Sequence, residues 1–171
     1  AQPIQITNSF DRPNIELKVL KTTNKLEAIS EALAPKGTPA IVYAGTRKSV
    51  ELLSTHLNNM GHRTNFFHGG ALAKEKRIAD WIQEKMPVMV ATSAFGMGID
   101  KSNVQRVVHA TLPLSMEQYY QEIGRCGRDG SAAKATLLIE NGDDQKLWNS
   151  TTASIPSVED IKKTYKHLCH Y

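Results

Sequence analysis

Two arginines flanked by glycines form the segment of this 171-residue chain best suited to chemistry. The run Gln121-Glu-Ile-Gly-Arg-Cys-Gly-Arg-Asp-Gly130 follows a helix predicted over residues 115–123. Glycines allow a tight turn, and arginine offers a permanent charge with a planar fork of donors that suits phosphate oxygens. Arg125 and Arg128 are therefore candidates for clamping a transferring phosphoryl group. The alternative is a surface turn with solvated arginines.

Polar side chains also follow three apolar strands. The three segments are Val90-Ala-Thr-Ser-Ala-Phe-Gly-Met-Gly-Ile-Asp-Lys101, Ile41-Val-Tyr-Ala-Gly-Thr-Arg-Lys-Ser49, and Phe67-His-Gly-Gly70 with Arg77 after it. Ligands gather at the carboxyl ends of strands in open α/β sheets, and helix N-termini with basic side chains favour phosphate. His68 and Arg77 are candidate contacts to a nucleic-acid backbone, although a lone histidine in a turn is more often structural. Phe95 and Met97 are better explained as packing.

Alternating strands and helices must position these groups. Strands are predicted over 15–20, 40–43, 64–67, 88–91, 106–109 and 135–139, and helices over about 47–60, 74–85 and 115–123. Such alternation predicts an α/β fold with a parallel sheet and helices on both faces.

Composition limits the possible partners. The chain is 40% hydrophobic and 22% charged, as expected of one globular domain, and its apolar runs are far shorter than the roughly 20 residues that cross a bilayer. A net charge of +4 is compatible with a polyanionic partner without demonstrating one. Cys126 and Cys169 form no CxxC pair, which favours a reducing compartment and no metal site in this chain. We predict no membrane partner and a cytoplasmic, nucleoid-associated or nuclear location.

The run Tyr119-Tyr-Gln-Glu-Ile-Gly-Arg-Cys-Gly-Arg-Asp-Gly130 resembles motif VI of superfamily 2 helicases in the version of the RecQ family. The resemblance implies that Arg128 is an arginine finger, that Arg125 is its partner and that Gln121 couples the nucleotide to a domain interface. Cys126 stands where the family usually has alanine, and a buried, inert thiol is the preferred interpretation.

The other polar segments resemble motifs V, IV and IVa of the same family. The resemblance implies backbone contacts to nucleic acid, an approach of one carboxylate to the ribose of ATP, and a RecA-like fold. The residues it assigns to nucleic acid are Thr46, Arg47, His68, Arg77, Thr92 and Ser93, and the ribose carboxylate is Asp100. The family commonly has Cys-x-Ser-Arg where this chain has Ala44-Gly-Thr-Arg47, which leaves the contact of Thr46 open.

The opening Ser9-Phe-Asp-Arg-Pro-Asn14 resembles the RecQ linker between two motor domains. We therefore predict a linker over 1–14, a RecA-like domain over 15–150 with a soft boundary near 149–156, and the start of a further, zinc-binding-type region over 151–171. Ser157-Val-Glu-Asp160 has the form of a capping box before the apolar stripe Ile161, Tyr165 and Leu168. Zinc is expected only in the downstream region.

No G-x-x-x-x-G-K-[ST] loop and no D-E-x-H box occur in the sequence. The chain is therefore predicted to need a first RecA-like domain that holds most of the contacts to ATP and Mg²⁺, and to be inactive as an ATPase alone. The resemblance implies an enzyme that unwinds DNA from 3′ to 5′, binds single strands and duplex junctions, and serves DNA repair and recombination. Two alternatives stay open: half of an RNA-directed superfamily 2 helicase, and a non-catalytic nucleic-acid-binding module.

Overall fold

The structure, a computed structural model, describes residues 12–96, 98–153 and 159. The strands within these ranges are β1 (Ile15–Lys21), β2 (Ala40–Tyr43), β3 (Thr64–Phe67), β4 (Val88–Ala91), β5 (Arg106–His109) and β6 (Ala133–Ile139). The helices are α1 (Lys25–Ala32), α2 (Arg47–Asn59), α3 (Lys74–Ile82), α4 (Met116–Ile123) and α5 (Asp143–Ala153). All the strands pair in parallel, in the order β1-β6-β5-β2-β4-β3. The predicted α/β fold is confirmed.

Each face of the sheet carries its own apolar core, because successive side chains of a strand point to opposite faces. In β2, Ala40 and Val42 face a core that contains Ile29 of α1 and Leu57 of α2. Ile41 and Tyr43 face the other core, which is covered by Trp81, Phe95, Ile123 and other residues of α3, α4 and the intervening chain. Phe95 is buried against the Trp81 ring at 5.3 Å, which confirms its packing role; Met97 lies outside the described residues.

Local signals fix the helices that begin near the candidate site. The Thr46 side chain accepts a hydrogen bond from Ser49 N–H, and the Ser49 hydroxyl in turn bonds the Thr46 backbone, which forms a capping box for α2. The side chain of Ser115 caps α4 by accepting a hydrogen bond from Gln118 N–H.

The structure differs from the predicted elements in three places. The predicted helix over 74–85 ends at Ile82, because Glu84 adopts a left-handed backbone with φ +58° and its side chain turns to Lys101 and Asn103. Helices α1 and α5 were missing from the prediction. Strand β6 starts two residues early, where Ala133 N–H donates to Asn14 O at 2.8 Å.

The proposed division at residue 150 stays a prediction, and α5 continues through that position to Ala153. The predicted capping box at 157–160 and the stripe after it lie outside the described residues, apart from Glu159. None of the helices in the described part of the chain is long and apolar enough to span a bilayer.

Candidate functional site

The arginine turn, residues 124–130, lies beside the amino ends of the strands on the face covered by α4. Gly127 N–H donates to the carbonyl of Val104, just before β5, at 2.8 Å. Gly127 has φ +60°, a left-handed conformation in which glycine is favoured. The turn is therefore tied to the sheet through its backbone, which leaves its arginine side chains to make other contacts.

Arg125 points inward. Its Nη1 donates to Gly96 O at 2.7 Å, and a Cβ at Gly96 would lie only 2.1 Å from the Arg125 Cζ atom. The Nε of Arg125, the hydroxyl of Tyr43 and Nδ1 of His109 are buried without a hydrogen-bond partner among the described residues. Burial raises the pKa of Tyr43 far above its usual range, and the positive charge of Arg125 offsets this rise only in part.

Arg128 points outward. Its Nη1 lies 2.9 Å from Asp100 Oδ1, and the two side chains are 37% and 85% exposed. Within the described part of the chain, its other side-chain hydrogen bond is long, from Nε to Gly124 O at 3.4 Å. The structure thus brings together the predicted finger and the predicted ribose carboxylate. Gln121 is exposed on α4, where its Nε2 donates to Glu117 Oε1 at 3.2 Å.

The motif V loop, described over residues 92–96 and 98–103, runs from the carboxyl end of β4 towards β5 and contacts the arginine turn at Gly96 and Asp100. Thr92 is half-buried and its N–H donates to Phe67 O at 3.2 Å, whereas Ser93 is exposed. Near the other end of the loop, the buried Lys101 ammonium bonds Glu84 at 3.0 Å and the carbonyl of Ile82 at 3.2 Å. These contacts fix the segment next to Asp100.

Two predicted phosphate ligands follow β2 at the carboxyl edge of the sheet. Thr46 is exposed, and its hydroxyl already serves the α2 capping box. The exposed Arg47 reaches towards β3, since a Cβ at Gly70 would lie 3.0 Å from Arg47 Nη1. Thr46 and Ser93, together with Thr111, line a cleft of about 310 Å³. The carboxyl edge therefore offers both a cationic group and a concave surface.

His68 is 4% exposed, and both of its ring nitrogens are used within the chain. Nδ1 accepts the Gly70 N–H at 3.2 Å, which assigns the ring proton to Nε2, the donor to Glu51 Oε1 at 2.8 Å. The ring also stacks on Phe66. This geometry favours the structural interpretation of His68 over a direct contact to phosphate.

Arg77 is half-buried at the start of α3. Its guanidinium carbon lies 3.7 Å from the centre of the Phe66 ring, and it donates to Leu72 O at 3.0 Å and to Asn65 Oδ1 at 3.2 Å. These contacts hold its charge in one place near the end of β3.

His109 and Glu122 form a buried pair that the sequence prediction missed. His109 Nε2 lies 2.7 Å from Glu122 Oε2, and Gln118 donates to the other carboxylate oxygen at 2.9 Å. The available signal was a histidine that follows two valines at the end of β5. The pair joins β5 to α4, directly before the arginine turn. Among the described residues, no group of three or more His, Cys, Asp or Glu is arranged to hold a metal ion.

Comparisons with known proteins agree with this architecture. The family described as "Helicase conserved C-terminal domain" matches residues 24–130. The chain is 41% identical over 173 residues to the ATP-dependent DNA helicase RecQ of Bacillus subtilis, an alignment that covers 96% of this chain and 29% of that helicase. It is 37% identical to the mouse bifunctional 3'-5' exonuclease/ATP-dependent helicase WRN, over 95% of this chain and 12% of that protein.

A DEAD box protein from the hyperthermophile Methanococcus jannaschii has a similar structure, with a TM-score of 0.70 and 28% identity over 83% of this chain and 40% of its own. The parallel sheet and this likeness show that the fold is RecA-like. The family match and the identity to RecQ helicases over most of the chain show that it belongs to the helicase C-terminal domain family, in the RecQ branch of superfamily 2.

Proposed function

We propose that this chain is the second motor domain of an ATP-dependent DNA helicase, in which Arg128 acts as an arginine finger and Arg125 supports it. One observation carries the proposal: Arg128 presents an exposed guanidinium on a turn whose backbone is anchored, beside an inward-facing Arg125. A guanidinium that is already placed stabilises charge developing on a transferring phosphoryl group.

The Asp100 contact is compatible with this role. An ion pair between exposed side chains is worth about 0–1 kcal/mol, so Arg128 can leave Asp100 for a phosphate at small cost. Asp100 is then free to meet the ribose. ATP and Mg²⁺ are held mainly by a first RecA-like domain, because this sequence lacks the Walker loop and the D-E-x-H box. We therefore propose that the chain does not hydrolyse ATP alone.

DNA is the proposed track, and the carboxyl edge is its proposed location. Arg47, Arg77 and the Thr92–Ser93 pair lie after β2, β3 and β4, which end at the same edge of the sheet. Two bacterial relatives, from Bacillus subtilis and Haemophilus influenzae, are named ATP-dependent DNA helicases, which favours DNA over RNA. We further propose 3′ to 5′ movement, roles in DNA repair and recombination, a cytoplasmic nucleoid-associated or nuclear location, and zinc only downstream of this domain.

Arg128→Ala in the full-length helicase tests the proposal. The kcat of DNA-stimulated ATP hydrolysis is expected to fall by about 10³-fold or more, while ATP affinity stays within several-fold, because the finger acts in the transition state. Arg128→Lys is expected to remain far below wild type, since an ammonium lacks the planar fork. Arg63→Ala, which removes an exposed arginine before β3, is the matched control.

Thermal unfolding of this chain separates catalysis from folding. Arg128→Ala is expected to leave the midpoint almost unchanged, because the side chain makes one exposed ion pair and one long hydrogen bond. Near-normal turnover in the full-length variant, or unfolding of the isolated chain, would show that Arg128 is not a finger.

A further inference from the structure

The segment that leads into β1 is bonded to the arginine turn, more than a hundred residues away in sequence. Arg12 Nη2 donates to Gly127 O at 2.7 Å and lies 3.4 Å from Cys126 O. Asn14 Nδ2 donates to the same Gly127 carbonyl at 2.8 Å and to Ser131 O at 2.9 Å. The Gly127 carbonyl oxygen thus accepts from two side chains of one short segment, in addition to the Gly130 N–H at 3.1 Å within the turn.

Gly127 is also in close contact with Asn14. A Cβ at Gly127 would lie 2.5 Å from Asn14 Nδ2 and 3.0 Å from Ser131 O, so the space that a side chain would need is filled. The glycine between the two arginines therefore has two roles: it adopts the left-handed backbone of the turn, and it admits the Asn14 amide.

The contacts are directional and partly shielded from water. Arg12 and Asn14 are half-buried, and the Arg12 bond is charge-assisted, which makes it stronger than a neutral one. Gly127 N–H donates to Val104 O, so the peptide groups on both sides of Gly127 are held. Arg128 is the next residue, and its backbone direction follows from that of Gly127.

We infer that Arg12 and Asn14 are positioning residues for the arginine pair, with Arg128 as the group through which they act. The inference rests on the proposed function of Arg128. A displacement of about 1 Å in a catalytic group can cost 10²-fold in rate, so loosening the Gly127 carbonyl lowers turnover without removing any group that contacts ATP.

The test uses Asn14→Asp and Arg12→Ala in the full-length helicase. Asn14→Asp keeps the size of the side chain but cannot donate to either carbonyl. Each variant is expected to lower the kcat of ATP hydrolysis by about 10-fold or more, with ATP affinity within several-fold. Arg12→Lys retains a positively charged donor group and is expected to recover part of the loss. Lys18→Ala, which removes an exposed lysine of β1, is the matched control.

A double-variant cycle distinguishes positioning from general support of the fold. Adding Asn14→Asp to Arg128→Ala is expected to cause no further fall in kcat, because the residue acts through Arg128. If the losses from Asn14→Asp and Arg128→Ala multiplied in the double variant, the inference would be overturned. It would also be overturned if Asn14→Asp and Arg12→Ala, corrected for the amount of folded protein, turned over ATP as fast as Lys18→Ala. If neither Asn14→Asp nor Arg12→Ala folded, their contacts with the turn would serve stability alone, and the positioning role would be refuted. Arg128→Ala with normal turnover would instead refute the proposed function itself.

Discussion

The arginine turn and the β3 edge, defined as His68 and Arg77 with their partners, both present basic side chains but hold them differently. At the β3 edge, Arg77 stacks on Phe66 and makes two hydrogen bonds, and both nitrogens of His68 are used. In the arginine turn, the backbone is fixed, while the partners of the Arg128 side chain among the described residues are an exposed carboxylate and, through one long bond, the Gly124 carbonyl.

The difference separates a fixed charge from an exchangeable one. A cation held by several partly buried contacts contributes to stability and presents its charge in one place, as a static track for a phosphate backbone requires. A cation held by one exposed ion pair can change partner when a phosphate arrives. Substituting Arg77 should therefore mainly lower stability, whereas substituting Arg128 should mainly lower turnover.

Gly96→Ala should cause the largest loss of stability, because it disrupts the contact between Arg125 and Gly96 that holds the arginine turn on its buried side. A Cβ at Gly96 would collide with the Arg125 guanidinium and would also face a φ of +117°. We expect a loss of about 2–4 kcal/mol in the free energy of unfolding, measured by urea denaturation. Gly98→Ala is the control, since φ is +74° there and no atom lies within 4 Å of the Cβ position. Its expected loss is about 1–2 kcal/mol, and equal losses would mean that the Arg125 contact contributes nothing.

Arg77→Ala should have a smaller effect on stability and a distinct effect on DNA binding. Loss of the Phe66 contact and two hydrogen bonds is expected to cost about 1–2 kcal/mol, against about 0.5 kcal/mol or less for the adjacent exposed Lys76→Ala. In the full-length helicase, single-strand affinity should fall equally for all sequences, and the slope of log affinity against log salt should decrease by about 1.

Arg77→Ala should lower the free energy of unfolding of this chain more than Arg128→Ala does. An equal or smaller loss would mean that Arg77 is held no more firmly than Arg128. Combining Arg77→Ala with Thr92→Ala should lower DNA-stimulated ATP hydrolysis more than the DNA-free rate. If this double variant lost nucleotide binding but kept its DNA affinity, Arg77 and Thr92 would belong to the nucleotide site and not to the DNA track.

Strand positions were predictable because runs of four to seven residues rich in β-branched and apolar side chains are bounded by turn residues. Strands β2 and β4 are fully buried and β6 is largely buried, whereas the edge strand β1 exposes five of its seven residues. Helix α1 was missed although Asn24 and Glu27 supplied a cap signal at its start. Helix α5 gave a weak signal because its sequence has few apolar residues and leaves Trp148 exposed. Its position depends on long-range contacts such as the ion pair between Lys25 and Asp143.

Residue types at the candidate site were predictable, but their partners were not. The glycine-flanked arginines predict a phosphate clamp, which stays a prediction, and nothing in the sequence indicates that Arg125 turns inward to Gly96 while Arg128 turns outward to Asp100. These pairs are 29 and 28 residues apart, and the Arg12 to Gly127 bond spans 115. Such contacts follow from the packing of distant elements, which one sequence does not report.

Cys126→Ala should change the free energy of unfolding least. It tests whether water is excluded from the buried side of the arginine turn. The thiol is buried in the core and bonds Ile123 O at 3.1 Å. Replacing it with a smaller apolar group should cost only about 1 kcal/mol near neutral pH. Burial raises the pKa of the Cys126 thiol from an ordinary value near 9 to about 11, so the folded protein favours the neutral form.

The sign of the pH dependence follows from that shift. Below about pH 9 the thiol is neutral in both the folded and the unfolded protein, and its contribution to stability is complete. Between about pH 9 and 11 it ionises only in the unfolded chain, which favours unfolding. Wild-type stability should therefore fall towards that of Cys126→Ala across this range. Tyr43 and Cys169 are present in both proteins, so their titration cancels in the difference. Parallel curves from neutral pH to about pH 11 would mean that the thiol ionises freely in the folded protein, and that water reaches the turn from the side on which Arg125 is anchored.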